Sequence, residues 1–223
     1  MRSRAPTRAP AGGGGDFTHF LSIPLAAQLG DRYLRWRAKA GKDMPAEAQA
    51  MFVEPASLHI TLQMLSLPTD AAVDKAKRVI ADCADDLLEA IENRALVVTL
   101  RSLGIWDDAG RDTLSAANVV FIKVDFESDA KVRLQKGLRV LQKALQDADL
   151  LAVADDCSFH VTVLNRKASK DKNAKAVDVR RLIADNQRTV FGQHHLLQVH
   201  LSKREKDATG AFVCCGKIEL PKK

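Results

Sequence analysis

The sequence predicts an α+β fold: two pseudo-symmetric lobes of mainly antiparallel sheet, with flanking helices, around a central cleft. Three observations lead there. Segments 58–67 and 159–165 alternate apolar and polar residues with the period of two that marks half-buried strands. Stretches with apolar residues at helical spacing run between and around them. Strands separated by helices and hairpins, with no long βαβαβ series, indicate antiparallel rather than parallel sheet.

Folded structure is expected from about residue 17 to residue 220, preceded by a flexible basic arm over residues 1–16. Residues 18–24 (THFLSIP) read as a short strand closed by Pro24. The helix predicted over 25–40 carries Leu25, Leu29, Tyr33, Leu34 and Trp36 on its inner face, and 44–55 is a linker or a second short helix. In the strand 58–67, simple alternation puts His59, Thr61 and Gln63 on a polar face and Leu58, Ile60, Leu62 and Met64 on an apolar one. Thr69 or Asp70 caps a helix running to about Asn93, with Val73, Ala76, Ile80, Leu87, Leu88 and Ile91 inward. Segments 96–103 and 118–126 are strands joined through the turn-prone WDDAGRDT. The helix 128–148 turns Val132, Leu134, Leu138, Leu141 and Leu145 inward. In 159–165, alternation groups His160, Thr162 and Leu164 against Phe159, Val161 and Val163. A short helix over 178–185 and a hairpin of 196–202 with 212–220, turning at 207–210, complete the chain. The second half thus repeats the theme of the first, as two related lobes.

Composition narrows the function classes without naming one. The chain is 46% hydrophobic and 28% charged, and it holds no apolar run long enough to cross a bilayer, so no membrane partner is expected. Lys+Arg 34 against Asp+Glu 28 leaves a net charge of +6, which favours an anionic partner in a general way. Cys83, Cys157, Cys214 and Cys215 do not form a disulfide framework in a chain of this length, and a reducing intracellular compartment, cytoplasmic or nuclear, follows. The first fifteen residues lack the apolar core of a secretory signal. Their Arg and Ser content also fits a mitochondrial transit peptide, but their Pro and Gly disfavour the helix it would need. A zinc site from Cys214, Cys215, His194, His195 and His200 is disfavoured, because its Cys-Cys and His-His pairs are contiguous. No metal and no cofactor is expected.

The chemistry lies in the pair LHITL (58–62) and FHVTV (159–163). Residues two apart on a strand point the same way, so each imidazole stands beside the hydroxyl of its own threonine. One His-x-Thr on a strand is a common accident; two in equivalent strand contexts are not. If the strands lie side by side, two imidazoles and two hydroxyls converge. Cleaving a P–O bond needs a base for the attacking oxygen and an acid for the departing one, and two histidines titrating near neutrality supply both. The hydroxyls then hold the non-bridging oxygens.

These motifs, with FLSIP (20–24), LGIW (103–106), VVFIKV (119–124), SFHVTVLN (158–165) and the stretch from Phe191 through HLLQVHLSKR to FVCCGKIEL, resemble the 2H phosphoesterase superfamily (LigT-like). Within it they are most similar to the phosphoesterase domain of the A-kinase anchor protein 7 type. The resemblance implies a bilobal fold with a V-shaped cleft, His59 and His160 as catalytic residues, and Thr61 and Thr162 as phosphate contacts. It further implies a metal-independent phosphodiesterase acting on a 2′,5′-linked oligonucleotide, a 2′,3′-cyclic phosphate or an RNA end, with an AMP-binding module of little turnover as the alternative. Two departures qualify it. The chain stops at IELPKK without an anchoring helix, so a kinase regulatory subunit is not an expected partner. Asn165 stands where the family often carries a basic residue, with Arg166 as its substitute. Trp106 is a candidate for stacking on a base, though hairpin packing explains it equally well. Lys123 and Arg101 face either cleft or solvent, and the run 166–175 is a solvated loop or a steering patch near the cleft mouth.

Overall fold

A computed structural model describes residues 17–106, 112–169, 171 and 173–223. The basic arm expected over 1–16, and most of the turn between the strands at 96–103 and 118–126, lie outside the described residues.

Among the described residues eight strands, β1 (His19–Pro24), β2 (His59–Leu65), β3 (Val97–Ile105), β4 (Val119–Phe126), β5 (His160–Asn165), β6 (Val190–His195), β7 (Gln198–Lys206) and β8 (Phe212–Glu219), form one sheet in the order β6-β3-β4-β5-β2-β1-β7-β8. Every neighbouring pair is antiparallel. The α+β class and the pseudo-symmetry hold. The lobes, however, are not the two halves of the chain. The β7–β8 hairpin returns to pack beside β1, so one half of the sheet is β2, β1, β7, β8 and the other is β5, β4, β3, β6. The halves meet where Ile60 pairs with Val161, and a local two-fold axis passes through that pair.

The helices are α1 (Ala26–Gly41), α2 (Ala46–Gln49), α3 (Asp70–Asp82), α4 (Ala84–Ala90), α5 (Ala130–Asp147) and α6 (Arg180–Asp185). On α5, Leu134, Leu138, Leu141 and Leu145 recur every three or four residues and are buried, which is the stripe the sequence predicts. Val132 and Leu34, expected inward, are 54% and 46% exposed, because each falls beside its helix's buried stripe rather than in it. The helix expected from 70 to 93 is two, broken at Cys83, whose backbone leaves helical geometry (φ −96°, ψ 12°) with no Pro or Gly to announce it. Thr69 does cap α3, its side chain accepting a bond from the Ala72 amide. Strand β6 has no counterpart in the sequence reading. Phe191 is an extra residue against β3, and Gly192 has φ +114°, so the segment shows no clean alternation.

The simple alternation of β2 and β5 also needs correction, at the same place in both. Against β1, Thr61 pairs with Ser22 and Gln63 with Leu21, leaving Leu62 as an extra residue. Against β4, Thr162 pairs with Phe121 and Leu164 with Val120, leaving Val163 extra. A bulge of one residue reverses which way every later side chain points. Gln63 and Leu164, expected beside the histidines, are therefore buried toward the helices, while Met64 and Asn165 line the cleft. Gln63 is held there by Gln142 of α5 (2.8 Å) and by the amide and carboxylate of Asp155 (both 3.0 Å). Tyr33 of α1 brings its hydroxyl within 2.8 Å of the Val53 carbonyl and 3.1 Å of the Val163 carbonyl, pinning the second bulge from below.

Candidate functional site

Antiparallel register about the Ile60–Val161 pair puts His59 across from Thr162 and His160 across from Thr61. The four residues singled out in the sequence are thus brought to one place on the sheet. His59, Thr61 and Thr162 line a cavity of about 870 Å³, and His160 stands across the ladder from Thr61.

Each histidine is oriented in the same way. Nδ1 of His59 lies 2.7 Å from the Ser57 carbonyl, and Nδ1 of His160 lies 2.6 Å from the Ser158 carbonyl. A carbonyl only accepts, so both rings carry their proton on Nδ1 and leave Nε2 as the unprotonated nitrogen. Thr61 Oγ1 then donates to Nε2 of His59, at 3.1 Å. Sequence reasoning missed these serines as positioning elements, although the signal was present: a serine stands two residues before each histidine, SLHIT and SFHVT. Two aromatic rings pack on each imidazole. Phe20 (5.1 Å) and Phe212 (5.3 Å) flank His59; Phe121 (5.2 Å) and Trp106 (4.8 Å, edge-on) flank His160. Trp106 thus packs on both Phe121 and the candidate catalytic ring. Gly104 makes this arrangement possible, since a Cβ there would sit 2.7 Å from the Phe121 ring.

Burial among these rings lowers the pKa of His59 to about 4; the Ser57 carbonyl opposes the shift, and positive charge on His160 or Lys206 adds to it. His160 is lowered by burial too, against the pull of the Ser158 carbonyl. Both rings are neutral at pH 7 in the free protein, and because each disfavours charge on the other, the pair holds one proton more readily than two.

Around them the cavity is mixed in charge. Arg37, Lys167, Arg204 and Lys206 line it with Glu47, Glu54 and Asp171. Of the two basic residues after the second motif, Lys167 lines the cavity, whereas Arg166 reaches back to the Ala174 carbonyl. Asn165 accepts from the Lys167 amide. On the far side of His59 a second cavity of about 500 Å³ runs under β1, β7 and β8, bordered by Gln198, His200, Ser202 and Cys214. His200 therefore borders a cavity next to His59, while His194 is buried and bonded to the Phe191 carbonyl. His194 and His195 on β6 and Cys214 and Cys215 on β8 occupy opposite edges of the sheet, so the disfavoured zinc grouping does not converge. The Cys157 thiol donates to the Thr61 carbonyl, and burial with the nearby Asp155 charge pushes its pKa up to about 12. Among the described residues no helix is long and apolar enough to cross a membrane.

Comparison with known proteins gives the chain its family and its fold relatives. Residues 17–220 match the family model described as the AKAP7 2′5′ RNA ligase-like domain. The mouse protein activating signal cointegrator 1 complex subunit 1 is 24% identical over 230 residues, covering 92% of this chain and 63% of its own length. The chain therefore spans less than two thirds of that relative. Among solved structures, a protein of Thermus thermophilus superposes with a TM-score of 0.58 at 18% identity, covering 92% of this chain and all of that one. LigT of E. coli, solved in complex with ATP, superposes with a TM-score of 0.53 at 18% identity, covering 92% and 98%.

Proposed function

The chain belongs to the AKAP7 2′5′ RNA ligase-like domain family, with the fold of the LigT-like 2H phosphoesterases, and from that premise we propose that it is a metal-independent phosphodiesterase acting on a nucleotide or RNA phosphodiester, either 2′,5′-linked or 2′,3′-cyclic. One observation carries the reading. Two imidazoles, each held by a carbonyl at Nδ1, keep Nε2 available beside paired threonine hydroxyls.

In this reading an anionic phosphodiester enters between the rings. Its charge raises their depressed proton affinity, and their mutual repulsion limits them to one shared proton. The neutral ring's Nε2 removes a proton from the attacking hydroxyl or water. The protonated ring's Nε2–H delivers one to the oxygen that leaves. Thr61 and Thr162 donate to the non-bridging oxygens as charge builds on them. The Ser57 and Ser158 carbonyls keep both rings aimed and stabilise whichever becomes imidazolium.

The test is incubation with a 2′,5′-oligoadenylate and with a 2′,3′-cyclic nucleotide, each with and without EDTA. Cleavage that persists in chelator is the expected result. His59→Ala and His160→Ala should each lower turnover by roughly two to four orders of magnitude, the loss that follows removal of a general acid or base. Full rates in both variants would sink the proposal. The low proton affinity of both rings favours one second reading, a nucleotide-binding module with little turnover. Binding of AMP with no cleavage of either substrate would select it.

A further inference from the structure

Beyond the paired histidines, the cleft face of the other half-sheet carries a row of cations that the mechanism does not use. Lys123 pairs across the ladder with His160, and Arg101 pairs with Lys123 one strand further out. Directly opposed residues of antiparallel strands share a face. Phe121, two residues before Lys123, touches His160, so Lys123 and Arg101 stand on the cleft face. The sequence alone could not assign them.

A bulge creates this placement. Ser102 is the extra residue of β3 between Arg101 and Leu103, and its φ of +57° is one that non-glycine residues seldom adopt. It is held there from the 187–189 loop: its amide donates to the Thr189 carbonyl (2.8 Å) and its hydroxyl to the Gln187 carbonyl (2.7 Å). Beyond the bulge Leu103 turns into the core, while Arg101 stays on the cleft side. Bulges beside functional sites commonly re-aim a side chain in this way. The result is a separate cavity of about 400 Å³ bordered by Arg101, Ser102, Lys123, Asp125, Arg188 and Val190. Asp125 pairs with Arg101. Three cations against one carboxylate leave the cavity positive. Its counterpart beside His59 is different: Pro24 occupies the ladder position that Lys123 holds beside His160, and the charged residues of that cavity are Asp207, Glu219 and Lys222, two carboxylates against one cation.

We propose that the Arg101–Lys123–Arg188 cavity is a subsite for a second phosphate of a single-stranded oligonucleotide whose neighbouring phosphodiester lies between the histidines. The proposal rests on the phosphodiester reading of the main site and makes the substrate an oligonucleotide rather than a cyclic mononucleotide. β3 lies two strand spacings, roughly 10 Å, from β5, a span that an extended strand bridges through its own backbone. The contrast between the two flanks sets a direction: the strand continues from the scissile phosphate over Lys123 toward Arg101.

Equilibrium binding tests this with phosphorothioate-linked oligoadenylates of two and four residues, in 2′,5′- and 3′,5′-linked sets, their intactness checked by chromatography after each titration. In one linkage set the tetramer is expected to bind about tenfold tighter than the dimer, as added charge-assisted contacts do. Lys123→Gln and Arg188→Gln should each weaken the tetramer and leave the dimer unchanged. Each should also flatten the dependence of log affinity on log salt by about 0.7, the share of one phosphate contact on a single strand. Arg188 lies on an exposed loop, so its variant keeps the test valid should Lys123→Gln disturb the sheet. Equal affinity for dimer and tetramer in both sets, or a salt slope unmoved in both variants, overturns the subsite. Length-dependent binding, with no cleavage of either an all-phosphate oligoadenylate or a 2′,3′-cyclic nucleotide, supports the subsite and sinks the enzymatic reading instead.

Discussion

At the scale of single residues, the site is controlled by what surrounds two imidazoles. Aromatic rings and burial strip each of solvent, while a backbone carbonyl two residues upstream fixes its tautomer. The same burial sets a pH dependence. The free protein is competent when its histidine pair carries one proton, so kcat/KM should peak between about pH 4 and the ordinary histidine value of 6.5, and fall on the alkaline side. A pH–rate profile peaking above 7 would contradict this. Stability follows the opposite trend. A histidine whose folded pKa is depressed takes up its proton more readily when unfolded, so stability is present above 6.5 and lost as pH falls toward 4. Thermal melts should show a smaller loss across that window in His59→Gln than in the parent protein. Two such residues, His59 and His160, were legible in the sequence, because a strand's period of two pairs each with its threonine. Their serines were visible too, but nothing local says that a carbonyl at that spacing curls back to Nδ1.

At the scale of elements, bulges decide which side chains the cleft receives. Leu62 and Val163 are equivalent extra residues, each directly after the threonine of its motif. Strict alternation predicts Gln63 in the cleft and Met64 in the core; the register has them reversed. Gln63→Leu should therefore destabilise the protein by about 1–3 kcal/mol, since Gln142 and the Asp155 amide lose a buried acceptor. Met64→Gln should stay within about 1 kcal/mol, as expected away from the core. Urea denaturation of both variants distinguishes the two registers. Gly104 supplies a second test. An added methyl meets the Phe121 ring at 2.7 Å, and displacing that ring disturbs the packing of His160. Gly104→Ala is expected to cost about 1–3 kcal/mol, the range for overpacking, with reduced turnover. Unchanged stability and rate would show that Phe121 is free to move.

At the scale of the whole molecule, pseudo-symmetry does not follow the chain. β1 and β2 need β7 and β8 beside them, and β3 and β4 need β5 and β6, so each half-sheet takes strands from both ends of the sequence. The fragments 17–152 and 153–223 should each lack a cooperative unfolding transition when expressed alone, and mixing them should restore one if the strands reassociate. A fragment 17–152 that melts cooperatively by itself would mean that β1–β4 form a sufficient core without their partners. Helix α3 packs against the edge strand β8 and against α5, and close contact between α4 and α5 depends on Gly137, where a Cβ would come 2.9 Å from Ile91. Buried Arg133 completes that junction by donating to the carbonyls of Ile91, Arg94 and Ala95.

The sequence by itself determined the fold class, most strands and helices, and the two His-x-Thr strands, because periodicity and the pairing of residues two apart are local properties of a chain. Tertiary structure alone decided the reversed faces after Leu62 and Val163, strand β6, the return of the β7–β8 hairpin, and the cleft-side placement of Arg101 and Lys123. Each of these depends on register between strands far apart in sequence, and register is set by which side chains can be buried together, a quantity that no single segment contains.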